Sequence, residues 1–343
     1  MEYRLLGGSG LEVSVLSFGT MTLGGEGRFA AMGNVQAEEA RRHVDICIEA
    51  GVNLFDTADV YSAGKSEEVL GQALGSRRKD IVLATKGFFR IEPGTNKVGL
   101  TRRHILEACE ASLRRLGTDY IDLYQAHNFD SLTPLDETLR AFEDLIRAGK
   151  IRYAGCSNYA GWQLMKALSI SDRLGISRYI SQQINYSLIA RDAENELVPL
   201  GLDQRIGIMA WSPLQSGLLS GKFRRGQPKP SESRLNTLEL PGTIDEERLF
   251  KIVDVLADIA AQRGVSVSQV ALNWVMRKPC VDTVIIGARN ESQLRDNLAA
   301  ATWALTDGEV ERLDEVSALP LPYPHWHQQR FAGDRNPPAK HVR

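Results

Sequence analysis

Residues 52–61 read VNLFDTADVY, a short apolar run that ends in an acid, with a phenol five residues further on. Such a run, bounded by polar residues, is typical of a buried strand that ends where a loop begins. Asp56 and Tyr61 are therefore predicted to leave the core at the carboxyl end of that strand. This stretch decides the fold because two further predicted strands are also followed directly by reactive side chains.

Those two strands are short apolar runs in the next part of the chain. Residues 81–84 are followed by Lys86, and residues 120–124 are followed by His127. Parallel strands of one sheet bring residues at equivalent ends onto one face. We therefore expect the acid and the phenol of the first stretch to meet this amine and this imidazole.

These four side chains suit the reduction of a carbonyl group. A free phenol has a pKa of about 10, and Lys86 should lower that of Tyr61 toward the working pH, where a general acid acts best. Asp56 would keep Lys86 charged, because a buried ammonium without a partner is costly. His127 would donate a hydrogen bond to the reacting oxygen. Each residue alone also fits an ordinary structural role, so the prediction depends on the set.

Strand-like and helix-like segments alternate along the chain. Eight strands, each followed by a helix, favour the α/β class and a (β/α)8 TIM barrel, with a doubly wound parallel sheet as the alternative. The predicted strands are 15–18, 53–56, 81–85, 121–125, 153–157, 179–183, 206–211 and 283–286. The predicted helices are 40–50, 66–74, 101–116, 136–148, 161–174, 194–202, 246–263, 267–276 and 292–301.

The ends of the chain are predicted to lie outside the barrel proper. Residues 1–14 resemble a β-hairpin with a glycine-rich turn, and residues 318–343 a C-terminal tail. The turn is not a dinucleotide fingerprint, because the third glycine and a following helix are missing. No break in composition divides the chain, so residues 1–343 are predicted to form a single domain. The long segment 215–241 is typical of a lid or binding loop.

Composition and charge exclude several classes of partner. A net charge of -2 gives no electrostatic case for nucleic acid, and no apolar run approaches the roughly 20 residues that cross a bilayer. The four cysteines lack CxxC spacing and no leader opens the chain, which predicts a soluble cytoplasmic protein. His325 and His327 lack an accompanying acid or cysteine cluster, so no metal site is predicted. Whether the chain forms a homo-oligomer stays open.

The run from Asn53 to Tyr61, with Gly64 and Glu67 after it, resembles the signature of the aldo-keto reductase superfamily. Further matching segments are residues 84–86, 119–124 before the imidazole, 149–152, 155–158 and 211–214. Trp211 together with residues 216–222 is similar to the branch that contains bacterial general aldo-keto reductases and potassium-channel beta subunits. The resemblance implies a TIM barrel and the reversible NADP-dependent reduction of an aldehyde or ketone to an alcohol, with hydride from nicotinamide C4 and Tyr61 as general acid.

A reducing cofactor is predicted because none of the four side chains can deliver a hydride. Ser157, Asn158 and Gln183 follow consecutive strands and offer the hydroxyl and amides that a nicotinamide carboxamide needs, a role that the resemblance supports. Trp211 could stack on the nicotinamide ring. Their ordinary roles, as a helix cap, a loop partner and a core residue, stay open. The cofactor site is also predicted to include Gly19, Thr20, Met21 and Asp56.

The loop after Trp211 is predicted to bind the pyrophosphate through backbone and hydroxyl donors. Its candidate residues are Ser212, Pro213, Leu214, Ser216, Gly217, Leu218 and Lys222. Gly287 and Arg289 open the last predicted helix, whose N-terminus favours anions, and Arg289 there could hold a ribose 2′-phosphate, which favours NADP over NAD. By resemblance, Gln293 and Asn297 lie along the adenosine. Arg234 is a further basic candidate.

The substrate is predicted to lie against Tyr61 and His127. Further candidates for the pocket are Met21, Phe88, Phe89, Asn128, Phe129, Tyr323, Trp326, His327 and Phe331. Aldehydes, ring ketones and sugar-derived carbonyls all suit such a wall. Two other functions remain: an NADP-binding, redox-sensing subunit that regulates a partner, and a lyase in which Lys86 forms a Schiff base.

Overall fold

The computed structural model describes residues 1–226 and 245–334. Its strands are β1 Tyr3–Leu5, β2 Glu12–Ser14, β3 Leu16–Gly19, β4 Leu54–Asp56, β5 Val82–Gly87, β6 Ile121–Ala126, β7 Ile151–Ser157, β8 Tyr179–Asn185, β9 Gly207–Trp211 and β10 Val281–Ile286. Strands β3 to β10 are parallel and close into a barrel, in which β10 pairs with both β3 and β9. The TIM barrel is therefore confirmed, and the doubly wound sheet is excluded because the sheet has no edge.

The helices surround this barrel. They are α1 Ala37–Glu49, α2 Lys65–Leu74, α3 Arg102–Leu116, α4 Leu135–Arg147, α5 Gly161–Leu174, α6 Leu197–Gln204, α7 Glu246–Arg263, α8 Val267–Met276, α9 Glu291–Ala299, α10 Asp307–Ser317 and α11 His325–Phe331. Apolar residues at helical spacing face the strands, as Leu139, Phe142 and Leu145 do on α4. Within residues 1–226 and 245–334, no helix is both long enough and apolar enough to span a bilayer.

Helix α6 begins three residues later than predicted. Pro199 has no backbone N–H and is tolerated only in the first turn of a helix, which fits a start at Leu197. Residues Asp192–Glu194 form a short 3₁₀ turn instead. The Glu194 carboxylate accepts hydrogen bonds there from the Tyr186 hydroxyl at 2.7 Å and from the Arg191 Nε at 2.9 Å. Glu194 therefore holds the turn before the helix.

Two helices near the C-terminus were not predicted. Helix α10 begins with a capping box, in which Thr306 Oγ1 accepts from the Glu309 amide and the Glu309 carboxylate accepts from the Thr306 amide. The spacing Thr306-x-x-Glu309 is a sequence signal that could have found this helix. Helix α11 lies within residues 318–343, which were predicted to be a tail, and the rest of that tail beyond residue 334 lies outside the described residues.

The N-terminal hairpin β1–β2 is confirmed, and it closes one end of the barrel. Leu6 and Val13 are fully buried and belong to a cluster with Leu54 and Leu123 of the barrel interior. Gly7, at a φ of +59°, approaches the backbone so closely that a Cβ atom would lie 2.4 Å from the nitrogen of Gly207. The amino-terminal end of the barrel is therefore filled, which leaves the carboxyl end for a site.

Candidate active site

A buried ion pair lies at the carboxyl ends of β4 and β5. Lys86 is fully buried, and its ammonium donates to Asp56 Oδ1 at 2.5 Å and to the carbonyl of Thr57 at 2.8 Å. The same nitrogen lies 3.4 Å from the Tyr61 hydroxyl. Parallel pairing places Asp56 of β4 beside Ala84 of β5. Lys86 lies two residues further along β5, so its side chain points to the same face of the sheet as that of Ala84, beside the loop that carries Tyr61. The acid, the amine and the phenol are thus brought together.

The backbone after β4 takes a tight turn that fixes Tyr61. Its amide donates to the carbonyl of Ala58 at 3.1 Å. Ser62 and Ala63 follow with φ of +50° and +54°, a left-handed conformation that is costly for residues with side chains. The Ser62 hydroxyl donates to the carbonyl of Leu23 at 3.1 Å, so the loop after β3 supports the strained turn. Strain of this kind, held in place by neighbours, is common at active sites.

The pKa of Tyr61 is raised, contrary to the sequence-based expectation. Burial raises the pKa of the Tyr61 phenol, and the Lys86 charge opposes this shift without overcoming it. Burial alone would lower the pKa of Lys86, but the Asp56 charge and the Tyr61 hydroxyl outweigh it, so that pKa is raised too. The expectation was wrong because the cost of a phenolate in a low-dielectric site exceeds the gain from one nearby cation. Near neutrality Tyr61 is a phenol and Lys86 an ammonium.

His127 lies beside Tyr61 at the end of β6. The two rings meet edge to face, with centroids 5.8 Å apart. The His127 amide donates to the carbonyl of Gly87 at 3.2 Å, and its carbonyl accepts from the Asn158 side chain at 3.0 Å. All four residues of the predicted set therefore lie at one end of the barrel.

A glutamine that the sequence analysis did not single out completes the polar cluster. Gln125 is fully buried on β6, in register with Lys86, and its amide donates to Asp56 Oδ2 at 3.2 Å. Gln183 of β8 donates to the same oxygen at 2.9 Å. The carboxylate oxygen that does not face Lys86 thus has two donors, as a buried acceptor requires. The sequence signal for Gln125 was its place at the end of the predicted strand 121–125, two residues before His127.

A second ion pair supports the site from behind. Glu67 is fully buried; its carboxylate accepts from Arg115 Nε at 2.7 Å and from the Thr85 hydroxyl at 2.6 Å. Asp59, also fully buried, lies close enough for Glu67 to act on it. Burial, followed by the Glu67 charge, raises the pKa of Asp59 well above its usual range. Burial and the Glu67 charge therefore favour the neutral form of Asp59.

The strand ends predicted to hold the nicotinamide lie at the same carboxyl end of the barrel, which forms the mouth of the candidate site. The Ser157 hydroxyl donates to the carbonyl of Gln183 at 2.9 Å, which ties β7 to β8. Asn158 follows at a φ of +59°, a conformation that asparagine tolerates better than most residues. Trp211 ends β9 and is half-buried. Gly19 ends β3, and the Thr20 amide donates to the carbonyl of Asp56 at 2.9 Å.

The loop after β9 has a largely left-handed backbone. Ser212, Gln215, Ser216 and Gly217 all have positive φ, between +45° and +98°. The Gln215 amide donates to the carbonyl of Ser212 at 2.9 Å and the Gly217 amide to that of Leu214 at 3.0 Å, so the turn is held by its own backbone. Gln215 anchors this loop by donating to the Asn185 side chain at 2.5 Å. The remaining candidates there are Pro213, Leu214, Leu218 and the exposed Lys222.

The basic candidate Arg289 lies two residues before α9, whose N-cap is Asn290. Its guanidinium donates to the carbonyls of Ala31 at 3.0 Å and Met32 at 3.3 Å, and its amide donates to Gln293 Oε1 at 3.0 Å. Asn297 is nearly buried and donates to the carbonyl of Gly287 at 3.2 Å. Arg289 thus lies between α9 and the loop that follows β3. Arg234 lies outside the described residues.

Aromatic rings border the mouth near Tyr61 and His127. The ring of Phe89 lies 4.9 Å from that of His127, and Phe88 lies 5.0 Å from Phe89. Phe29, which the sequence analysis did not single out, lies 5.4 Å from Tyr61. Asn128 is half-buried beside His127, as is Met21 after β3. On α11, the rings of Trp326, His327 and Phe331 contact one another, and a substrate contact for them stays a prediction.

The part of the chain that the structure describes contains no group of three or more His, Cys, Asp or Glu side chains that could hold a metal ion.

Comparison with known proteins decides the family. The model of the "Aldo/keto reductase family" matches residues 15–318, which span the whole barrel. The chain belongs to the aldo/keto reductase family. The resemblance that rested on the motif around Asp56 and Tyr61 is therefore confirmed, and with it the branch that contains bacterial oxidoreductases and channel beta subunits.

Several curated relatives match along nearly their full length. A "Probable voltage-gated potassium channel subunit beta" of Arabidopsis thaliana is 40% identical over 326 residues, covering 92% of this chain and 96% of the relative. An uncharacterized oxidoreductase of Bacillus subtilis is 37% identical, with 91% and 94% covered. A "Versiconal hemiacetal acetate reductase" of Aspergillus parasiticus is 34% identical, with 92% and 96% covered. Family membership supports an oxidoreductase.

Proposed function

We propose that this aldo/keto reductase family protein is an NADP-dependent oxidoreductase that reversibly reduces an aldehyde or ketone to an alcohol. The observation that carries the proposal is the contact of Lys86 Nζ with both Asp56 Oδ1, at 2.5 Å, and the Tyr61 hydroxyl, at 3.4 Å. A phenol held against a paired ammonium is a proton donor whose developing charge is stabilised as the proton leaves.

Each residue of the site has a distinct part in this reaction. Tyr61 donates its proton to the carbonyl oxygen in the reducing direction, and Lys86 stabilises the phenolate that forms. Asp56 keeps Lys86 charged and oriented, and the two glutamine amides on Asp56 Oδ2 keep the carboxylate in place. His127, edge to face with Tyr61, donates a hydrogen bond to the same oxygen and thereby orients the carbonyl.

The cofactor fits the residues around the mouth. Bound nicotinamide supplies the hydride. We propose that Asn158 and Gln183 hold its carboxamide, that Trp211 stacks on its ring, and that the left-handed loop 212–217 receives the pyrophosphate. Arg289, whose guanidinium carries five N–H donors in a fixed fork, is the side chain proposed to select the 2′-phosphate.

The test measures NADPH consumption and alcohol formation with aldehydes, quinones, keto-steroids and keto-sugars. We expect at least one carbonyl to be reduced with one NADPH oxidised per alcohol formed. Arg289→Ala should weaken NADPH binding about tenfold or more, as the loss of a charged hydrogen bond does, and leave NADH binding within about twofold. Equal losses for both cofactors would contradict the assignment of Arg289.

A regulatory subunit is the second candidate, because a relative at 40% identity is named a "Probable voltage-gated potassium channel subunit beta". Such a protein would bind NADPH, and the redox state of the nucleotide would change its affinity for a partner. Turnover of NADPH distinguishes the enzyme from the regulatory subunit. A purely regulatory subunit binds NADPH but oxidises none of it with any carbonyl of the panel.

A Schiff-base lyase is disfavoured by the state of Lys86. A lysine that attacks a carbonyl must be a neutral amine, and enzymes reach that state by lowering its pKa. Here the pKa of Lys86 is raised and the ammonium is bonded to Asp56. Borohydride trapping of a covalent adduct would reverse this conclusion.

A cytoplasmic location is part of the same proposal. All four cysteines are reduced in the structure, and three of them are buried. Unpaired cysteines are usual in reducing compartments. The formation of a homo-oligomer stays a prediction.

A further inference from the structure

Four aromatic rings form a continuous row across the mouth of the candidate site. In order they are Phe29, Tyr61, His127 and Phe89, and successive ring centroids lie 5.4, 5.8 and 4.9 Å apart. Each neighbouring pair meets edge to face, at 61° to 80°. The two side chains that the reaction needs thus lie in the middle of the row, with a phenyl ring at either end.

Both outer rings are only half-buried, and each contacts one ring of the reactive pair, Phe29 that of Tyr61 and Phe89 that of His127. A carbonyl that reaches the Tyr61 hydroxyl and the His127 imidazole therefore binds next to two side chains that each have a phenyl ring as neighbour. These phenyl rings are candidates to contact the group attached to the carbonyl carbon. The row consequently sets which substituents the site accepts.

The loop that carries Phe29 is fixed at three points. Its two arms pair between Leu23 and Val35, with the Gly24 amide donating to the carbonyl of Val35 at 3.0 Å. The Arg289 guanidinium holds the carbonyls of Ala31 and Met32 from the side of α9. Phe29 is thus placed before a substrate arrives, and a preorganised wall costs little ordering on binding.

We propose that Phe29 is a specificity-determining residue that selects carbonyl compounds with a planar aromatic substituent. This inference rests on the proposed function and names its substrate class. A flat ring gains aromatic contacts and buried apolar area against Phe29 and Phe89. A polyhydroxylated chain in the same place leaves its hydroxyls against ring carbons, without hydrogen-bond partners. Aromatic aldehydes and aryl ketones are therefore the favoured class.

Phe29 tests this better than Phe89 does. Phe89 also contacts His127 and Phe88, so a change there disturbs a side chain that orients the carbonyl. Phe29 contacts the ring of Tyr61, whose hydroxyl is positioned by Lys86 from β5. Phe29→Leu removes the flat wall and keeps an apolar side chain, whereas Phe29→Tyr keeps the flat wall.

The experiment compares kcat/KM for 2-naphthaldehyde and butanal, with NADPH, in four proteins: wild type, Phe29→Leu, Phe29→Tyr and Tyr120→Leu. Tyr120 is the control, because its ring lies between Arg78 and Arg152 just before β6, at the opposite end of the barrel. Fluorescence titration of NADPH and thermal melting accompany each variant, so that cofactor binding and folding are measured separately.

We expect the wild type to prefer 2-naphthaldehyde. Phe29→Leu should lower the naphthaldehyde-to-butanal ratio about five- to tenfold, mainly through KM, as the loss of one aromatic pair does. Phe29→Tyr and Tyr120→Leu should keep the ratio within about twofold of wild type, a margin well below the effect of an aromatic pair. A ratio that Phe29→Leu leaves unchanged, or a wild type that prefers butanal to 2-naphthaldehyde, overturns the inference while the proposed function stands. If the wild type oxidises no NADPH with any carbonyl, both the inference and the proposed function are overturned.

Discussion

At the residue scale, the site depends on one buried ion pair. Lys86 and Asp56 are almost completely buried, and between them they account for the contacts to Tyr61, Gln125 and Gln183. Charges in such a place are tolerated only when they are paired and hydrogen-bonded. The pair therefore contributes to stability as well as to the proposed chemistry, and the two contributions can be separated by substitution.

Asp56→Asn is expected to destabilise the fold by about 3 to 5 kcal/mol, because it leaves the Lys86 charge buried without its counter-ion. Lys86→Met leaves the Asp56 charge unpaired and should cost a similar amount. The double variant removes both charges, so it should be clearly more stable than the sum of the single losses predicts. Urea unfolding of the four proteins measures this coupling, and simple additivity would contradict the account of the pair.

The pH dependence follows from the raised pKa of Tyr61. Its folded-state pKa lies above the ordinary value of about 10, so the phenol is protonated across the neutral range. The free energy that the neutral phenol contributes to folding is lost only as pH rises through the raised pKa. We expect kcat/KM for reduction to stay flat from about pH 6 to 9 and to fall only above about pH 10. A fall with a midpoint near pH 7 would mean that another group is the proton donor.

The sequence predicted that Asp56, Tyr61, Lys86 and His127 meet, and it missed their neighbours Gln125 and Phe29. The four follow apolar runs, so parallel strands had to bring them together. Gln125 gains its role only from the register that sets it beside Lys86. Phe29 reaches Tyr61 only through the path of a loop that has no periodicity. Burial, too, was underestimated, which is why the direction of the Tyr61 pKa shift was wrong.

At the scale of elements, sequence patterns predict the strands and the long helices better than the segments that connect them. Strands and long amphipathic helices were found because their apolar residues repeat with a fixed period, and α5, α7 and α8 have the predicted bounds. Helix α10 was missed because it is largely charged and buries only two residues, Leu313 and Ser317. Its polar contacts therefore hold it to the barrel.

Glu309 makes the strongest of these contacts. Its carboxylate accepts two hydrogen bonds from Arg263 of α7, at 2.6 and 2.5 Å, and more from Thr306. The Arg263 hydrogen bonds lower the pKa of Glu309 to about 2. Because this pKa is depressed, the stabilising contribution is present above the unfolded-state pKa and is lost as pH falls toward 2.

Glu309→Gln is therefore expected to cost about 1.5 to 2 kcal/mol at pH 7, the low end of the range for hydrogen bonds to charged groups, because the pair is partly exposed. Thermal or urea unfolding at pH 7 and at pH 3 measures the loss, which should shrink at the lower pH. Glu311→Gln, on the same helix, serves as the control. A loss that does not change with pH would show that the charge of Glu309 is not what holds α10.

At the scale of the whole molecule, the closed barrel separates stability from chemistry. The hairpin fills the amino-terminal end with Leu6 and Val13, whereas the candidate site occupies the carboxyl end. This division is general in TIM barrels. It was predictable from the alternation of strands and helices, because only one closed arrangement of eight such units buries both faces of every strand.

Leu6→Ala should cost about 2 to 5 kcal/mol, as the loss of a fully buried leucine does. At temperatures well below the melting point, kcat/KM and NADPH affinity should both remain close to the wild-type values, since the cavity forms at the end remote from Tyr61. Differential scanning calorimetry and steady-state kinetics on the same preparation measure the two effects. A large loss of activity in the folded variant would show that the two ends are coupled.

The central claim is that Tyr61 gives a proton to a carbonyl that receives hydride from NADPH. The most direct measurement follows deuterium from 4,4-dideuterated NADPH into the alcohol, in wild type and in Tyr61→Phe. We predict deuterated alcohol from the wild type and a rate about 10² to 10⁴ lower from the variant, the range for loss of a general acid, with NADPH binding preserved. Alcohol formed at the wild-type rate by Tyr61→Phe, or without deuterium by either protein, would contradict the account.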